Sequence, residues 1–253
     1  MSLRRISGNI GGLLIGVAIV LIWKYVADAR IISPVILPGP GAAWNALVRG
    51  IGTGVLSSQI VATVERMFFG WLLASLAGVA LGAAIGISPT AKAYFAPMLE
   101  FLRPLPASAV IPVAIAFLGL SDAMVLAVIA FGALWPMLLS TIHGFAAVEP
   151  RLYEVGRMLM LSKWEVIRKI ALPSAMPDIL SGLRLGLTIA LVLAVVGEML
   201  ASRDGLGQWI LLSARSFRAA DLFAGVILLG LIGYLSGLLL SAAEARLLRW
   251  RTD

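Results

Sequence analysis

The sequence predicts an all-α integral membrane protein with six transmembrane helices. Three observations carry that reading. First, 60% of the 253 residues are apolar and only 13% are charged, about half the charged share of a soluble domain. Second, the charges cluster, and the uncharged runs between them approach the ~20 apolar residues that cross a hydrocarbon core. Third, one long polar stretch, residues 149–173, divides these runs and carries seven charged side chains beyond its first glutamate. There is no cysteine and only one histidine, His143. That excludes disulfides, thiolate sites and a histidine-rich metal site, so no metal is expected. The net charge is +7, but basic residues flanking membrane helices set orientation, and nucleic acid is not an expected partner.

Helix one is the N-terminal helix at about 6–27, built on 18 uncharged residues from Ile6 to Trp23. A cleaved signal is disfavoured, because the apolar run is long and no small-residue cleavage site clearly follows it. Residues 28–58 hold Pro34, Pro38, Gly39, Pro40 and Gly41, and ILPGPGAAWNAL reads as a turn followed by a short amphipathic surface helix. Helix two spans about Gln59–Gly86. Its glycines 70, 78, 82 and 86 recur at four- or eight-residue spacing, so their small faces admit a close neighbour. Helix three, about Tyr94–Leu120, is broken by Pro97, Pro104, Pro106 and Pro112. Helix four lies within the 26 uncharged residues Ala123–Val148. Helix five, about Ala175–Ala201, has a charge-free core of only 13 residues, Leu185–Gly197, and so carries Arg184 and Glu198 near or inside the membrane. Residues 202–220 read as a polar loop. Helix six has 22 uncharged residues, Leu222–Ala243, and the tail ends in Arg246, Arg249 and Arg251.

Six helices put both termini on one side. With the N-terminus inside, 11 Lys and Arg fall in the cytoplasm: Arg4, Arg5, Lys92, five in residues 149–173, and the three of the tail. Six fall outside: Lys24, Arg30, Arg49, Arg203, Arg215 and Arg218. The positive-inside rule therefore predicts cytoplasmic termini and a cytoplasmic 149–173 loop. Within it, residues 151–159 and 163–170 read as short helices, with Glu165 and Lys169 at the favourable i,i+4 spacing. Pro173 is expected to end the second helix and start the next element. A hairpin apolar on one side and charged on the other suits docking into a groove. The plainer alternative, less favoured, is a solvated amphipathic loop lying on lipid headgroups.

Glu154-Val155-Gly156, then Met160, then Ile170-Ala171-Leu172-Pro173 resembles the EAA loop of ABC importer permeases. That pattern is Glu-Ala-Ala, three residues, Gly, nine residues and Ile-x-Leu-Pro, and the spacing matches without a gap. LRPLPASAVIPVAIAFLGL, SGLRLGL, GEML and GLG are similar to the subfamily that imports sulfonates, taurine and nitrate. The resemblance covers residues 58–245. It implies a single permease domain, residues 1–253, of the type I importer fold, in the bacterial inner membrane, with the coupling hairpin between helices four and five. The coupling residues it implies are Tyr153, Glu154, Val155, Gly156, Arg157, Met160, Ser162, Ile170, Leu172 and Pro173. Val155 and Gly156 replace the two alanines, and Met160 replaces the turn glycine. Methionine reaches positive φ less cheaply than glycine, so the turn either stays at Met160 at a cost or moves toward Leu161-Ser162.

The resemblance also implies the partners. Two copies of a cytoplasmic ATPase would carry ATP and magnesium and drive the loop, because this chain lacks a GxxxxGK[ST] pattern. It would then be no enzyme and would bind no cofactor itself. A second permease chain, as a homodimer, would complete the path within the membrane lipid. An extracytoplasmic solute-binding protein would deliver a small organic or inorganic anion to the loops after helices one, three and five.

Path or gating roles are open for Arg66, Arg103, Pro112, Arg184 and Glu198, since an ionisable group in a membrane helix is expensive. Each charge also has a plainer reading. Arg66 pairs with Glu65 or a neighbouring helix, Arg103 anchors beside Glu100, and Arg184 and Glu198 pair or snorkel near helix ends. His143 is expected to be a hydrogen-bonded interface residue, and Gly205-Leu206-Gly207 to shape a turn. A secondary transporter or channel is the alternative class. It is disfavoured because no internal repeat is visible and the charges sit at helix ends. An intramembrane serine protease would need an oxyanion setting that Ser140 and His143 lack.

Overall fold

A computed structural model describes residues 2–249, with side chains from residue 11 onward except Leu13. The side chains of Arg4 and Arg5, and Arg251 altogether, lie outside the described residues. The elements are α1 (Ser2–Asp28), α2 (Pro40–Gly52), α3 (Val55–Ile87), α4 (Pro89–Leu102), α5 (Ala107–Leu118), α6 (Asp122–Ala146), α7 (Pro150–Met158), α8 (Lys163–Val166), α9 (Leu172–Ala201), α10 (Leu206–Arg215) and α11 (Ala219–Leu247). A π-turn, Ile167–Ala171, joins α8 to α9. The described residues form helices and connecting turns only.

Helices α3, α6 and α9 pack as the core, and small residues at helical spacing are the reason. On α3, a Cβ added to Gly78 would lie 3.1 Å from the Leu134 carbonyl, and one added to Gly82 would lie 2.8 Å from the Leu138 carbonyl. On α9, Gly182 faces the Pro136 carbonyl at 2.9 Å and Gly186 the Ala133 carbonyl at 3.1 Å. The helices therefore meet backbone to backbone, which in lipid replaces the missing hydrophobic drive with dispersion contact. The glycine face expected on helix two is the face that meets α6. Trp71 adds a cross-link by donating its Nε1–H to the Leu183 carbonyl at 3.0 Å.

Four helices or continuous helical stretches are each long and apolar enough to cross a bilayer: α3, α6, Lys163–Ala201 and α11. The pair α4–α5, bent by 88° at residues 103–106, makes a fifth if taken as one span. Of the four prolines expected to break helix three, Pro104 and Pro106 do so at this bend, where Arg103 also stands, whereas Pro97 and Pro112 lie inside the unbroken α4 and α5. Helix α1 is continuous from Ser2 to Asp28. It is anchored by Trp23, which stacks on Phe223 at 5.4 Å and donates its Nε1–H to the Pro38 carbonyl at 2.9 Å. The expected surface helix is α2, with Ala43, Ala46 and Leu47 buried and Trp44 exposed.

Four expectations need correction. Residues 202–220 are not simply a loop, because they contain α10, whose Leu206, Ile210 and Ser213 recur on one buried face. The second short helix does not end before Pro173. It runs through the π-turn into α9, where Pro173 occupies the first helical turn and needs no intrahelical N–H bond. Arg184 consequently stands well inside α9 rather than near its end. His143 is exposed on α6, and among the described residues its ring makes no hydrogen bond.

Candidate functional site

The candidate machinery occupies the two ends of α9. At one end is the α7–α8 hairpin. Pro150 pre-sets the first turn of α7. Ser162 starts α8 with a capping box: its hydroxyl accepts from the Glu165 N–H at 3.3 Å, and the Glu165 carboxylate accepts from the Ser162 N–H at 3.0 Å. Lys169 then donates to Glu165 at 2.9 Å. Gly156 is the buried contact between the two arms, and a Cβ there would meet Ile170 Cδ1 at 3.1 Å and Val166 Cγ2 at 3.3 Å. The glycine in place of the family alanine thus lets the arms close tightly.

The turn stays at Met160, which adopts φ +51. It is not rebuilt at Leu161-Ser162, where Ser162 is extended at φ −64 and ψ 159. The Met160 side chain is 93% exposed, and Val155, Met158, Leu159 and Trp164 are exposed around it. Glu154 and Arg157 are exposed on α7, and among the described residues neither makes an ion pair. Tyr153 turns inward against the cluster of Phe145, Val148, Ala171 and Ala175, where burial pushes its phenol up. Ile170 and Leu172 pack on the same cluster. Tyr153, Ile170 and Leu172 therefore hold the hairpin, while Glu154, Val155, Arg157 and Met160 present its surface.

At the other end, charges from distant parts of the chain meet. Arg66 on α3 donates Nε–H to Asp122 Oδ1 at 2.9 Å and Nη1–H to Glu198 Oε1 at 3.1 Å, and it also reaches the Asp204 carbonyl. Asp122, the first residue of α6, also accepts from Arg203 at 2.6 Å. Glu198 is completely buried. It accepts from Thr63 Oγ1 at 3.0 Å and from the Gly207 N–H at 2.9 Å. Thr63 in turn accepts from the Leu206 N–H at 2.8 Å, and Gln59 accepts from the Gly205 N–H. The carboxylate of Glu198 thus serves as the N-terminal cap of α10 from another helix, where the helix dipole favours an anion.

The glycines of Gly205-Leu206-Gly207 are required by this arrangement. Gly205 has φ +156, and a Cβ on it would lie 2.2 Å from the Glu198 carboxyl carbon; one on Gly207 would lie 2.3 Å from the Val195 carbonyl oxygen. Arg66 pairs with neighbouring helices rather than with Glu65. The network joins α3, α6, α9 and α10, and every charge in it has a partner. Asp122, Thr63, Gln59 and Arg203 belong to it but had no local sequence signal.

The other candidate path residues stand apart. Arg184 pairs with Glu244 and donates to Ser241 at 3.0 Å on α11. It lines a cavity of about 140 Å³ between α9 and α11 with Met67, Leu187, Thr188 and Ser236. Pro112 is exposed on α5, and Arg103 is exposed at the α4–α5 bend.

Residues 74–252 match the family described as the binding-protein-dependent transport system inner membrane component. The chain is 32% identical, over 99% of its own length and 91% of the relative, to a Bacillus subtilis (strain 168) protein named as an aliphatic sulfonates transport permease. It is 30% identical to the taurine transport system permease protein of Escherichia coli (strain K12), over 99% of this chain and 92% of that one. Among solved structures, an inward-facing methionine ABC transporter superposes with TM-score 0.65 at 19% identity, over 78% of this chain and 96% of that chain. At that identity the likeness speaks for the fold.

Proposed function

The chain belongs to the family of inner membrane components of binding-protein-dependent transport systems and is the permease subunit of an ABC importer, and from that premise we propose how it moves its solute. Two copies of this chain enclose the path, each contributing six spans: α1, α3, the bent α4–α5 pair, α6, α9 and α11. The chain hydrolyses nothing itself. Two cytoplasmic ATPase subunits bind ATP and magnesium and seat the α7–α8 hairpins, with Glu154, Val155, Arg157 and Met160 on the contact surface and Gly156, Ser162, Ile170, Leu172 and Pro173 holding its shape. The solute is a small organic or inorganic anion of the sulfonate, taurine or nitrate kind, by analogy with the solutes that relatives' names record.

One observation carries the mechanism. The hairpin is not hinged on a loop but continues through the π-turn into α9, and Lys163–Ala201 is one helical rod, about 58 Å long at 1.5 Å per residue. Closure of the ATPases displaces the hairpin, and the rod carries that displacement to Glu198 and the mouth-side α10. With the termini cytoplasmic, α10 lies on the outer face, where the binding protein delivers the anion. The Arg66–Asp122–Glu198–Arg203 network is the brace that makes α3, α6 and α10 follow α9. Arg184, in the cavity between α9 and α11, is the group placed to meet the anion in transit, while Pro112 and Arg103 shape the bent span beside it.

The sequence has no cysteine, so cross-linking needs no background removal. Met158→Cys, exposed on α7, should cross-link to the ATPase subunit, and the yield should change on adding ATP. Cross-linking of Met158→Cys to lipid-linked probes but never to the ATPase would place the hairpin on the bilayer and overturn the reading.

A further inference from the structure

Helix α4, the first half of the bent span with Arg103 at its bend, borders a cleft that coupling and transport leave without a role. It leaves α3 at Ser88, at the same end of the bundle as the α7–α8 hairpin, and turns 88° before α5 begins. Ile87, where α3 gives way to α4, lines a cleft with Tyr153 and Arg157 of the hairpin, so the first half of the bent span begins at that face of the membrane. Its exposed Tyr94, Phe95, Met98 and Phe101 make an apolar surface that can settle at the boundary of headgroups and acyl chains, with the Tyr94 hydroxyl toward the headgroups. Between α4 and the last turns of α6 lies an open cleft of about 190 Å³, lined by Lys92, Leu99, Glu100, Arg103, Leu139 and Ile142. Among the described residues the ammonium of Lys92 and the guanidinium of Arg103 have no acidic or hydrogen-bonding partner, and Glu100 pairs with neither. Two unpaired cations and one carboxylate leave the cleft positive, above a wall of Leu99, Leu139 and Ile142.

We propose that this cleft binds the phosphate of an anionic phospholipid, with Lys92 and Arg103 as its ligands and the apolar wall carrying the upper acyl chain. The placement in the cytoplasmic leaflet rests on the orientation proposed above; the binding itself does not. Cytoplasmic leaflets are rich in anionic lipid, and each nearby Lys or Arg adds about 1 kcal/mol of attraction, or about fivefold in affinity. A free phosphate would gain the charges but nothing from the wall.

The test is native mass spectrometry of the full-length, delipidated chain with phosphatidylglycerol and phosphatidylcholine of identical acyl chains. The wild-type chain should retain phosphatidylglycerol preferentially. Lys92→Gln with Arg103→Gln should lower that preference by roughly 25-fold, and Glu100→Gln should raise it by about fivefold. All three side chains are exposed, so these variants should remain folded. Equal retention of the two lipids, or a preference untouched by the double substitution, would overturn the proposal. So would displacement of the lipid by millimolar inorganic phosphate alone, which would make the cleft a plain anion site. A failure of the coupling reading would appear in the ATPase cross-link and leave these results unchanged.

Discussion

At Met160 the backbone accepts φ +51 under a side chain that is almost wholly in solvent. The left-handed conformation costs an L-residue about 1 kcal/mol or more, and glycine does not pay it. Met160→Gly should therefore raise the detergent melting temperature by a few degrees and leave uptake intact; a large loss of uptake would mean that the Met160 side chain itself touches the ATPase. Gly205 is the opposite case. A Cβ there enters the Glu198 carboxylate, so Gly205→Ala should break the buried pair with Arg66 and cost about 3–5 kcal/mol. Gly54→Ala, also at positive φ but with nothing within 4 Å, should cost only about 1 kcal/mol. Equal melting shifts for the two would show that the carboxylate is not where stability is held. The turn position was half legible in the sequence, because the motif spacing locates residue 160 but a methionine there argues against the conformation it adopts. The network was not legible, because Thr63 and Glu198 are 135 positions apart and no periodicity links them.

Among the elements, the glycine face of α3 was the most legible, since four-residue spacing needs only helical geometry to become a face; that its partner is α6 was not. That geometry predicts a contrast. Gly82→Val must push aside the Leu138 carbonyl and Thr141, both within 3.0 Å of an added Cβ. It should cost about 3 kcal/mol or more and lower the yield of folded protein. Gly237→Ala on α11 meets no described atom within 4 Å and should leave the melting temperature unchanged or slightly raised by the same assay. Two elements escaped the sequence reading for definable reasons. The helix α10 is short and interrupted at its start by glycines, so its composition reads as loop until Glu198 supplies the cap. The continuity of α8 into α9 was hidden by Pro173, which ordinarily marks a boundary; the π-turn before it puts the proline in a first turn, where no N–H is needed.

Across the whole molecule, the described residues leave much apolar surface open on α1, α5 and α11, as helices that face lipid or a second chain do. The composition made the membrane class plain, and the spacing from Glu154 to Pro173 made the family plain. What composition alone left unsettled was how the two ends of α9 are joined, and the continuous helix from Lys163 to Ala201 is the link on which the proposed coupling depends. Its most direct test is Glu154→Lys in proteoliposomes containing the permease, its ATPase and its binding protein, with ATP hydrolysis and anion uptake measured together. Among the described residues Glu154 is exposed and makes no ion pair, so the variant should insert into the membrane normally. Uptake should fall at least tenfold while ATP hydrolysis persists, because the hairpin no longer transmits closure. Uptake that proceeds at the wild-type rate per ATP hydrolysed would contradict the coupling role of the hairpin.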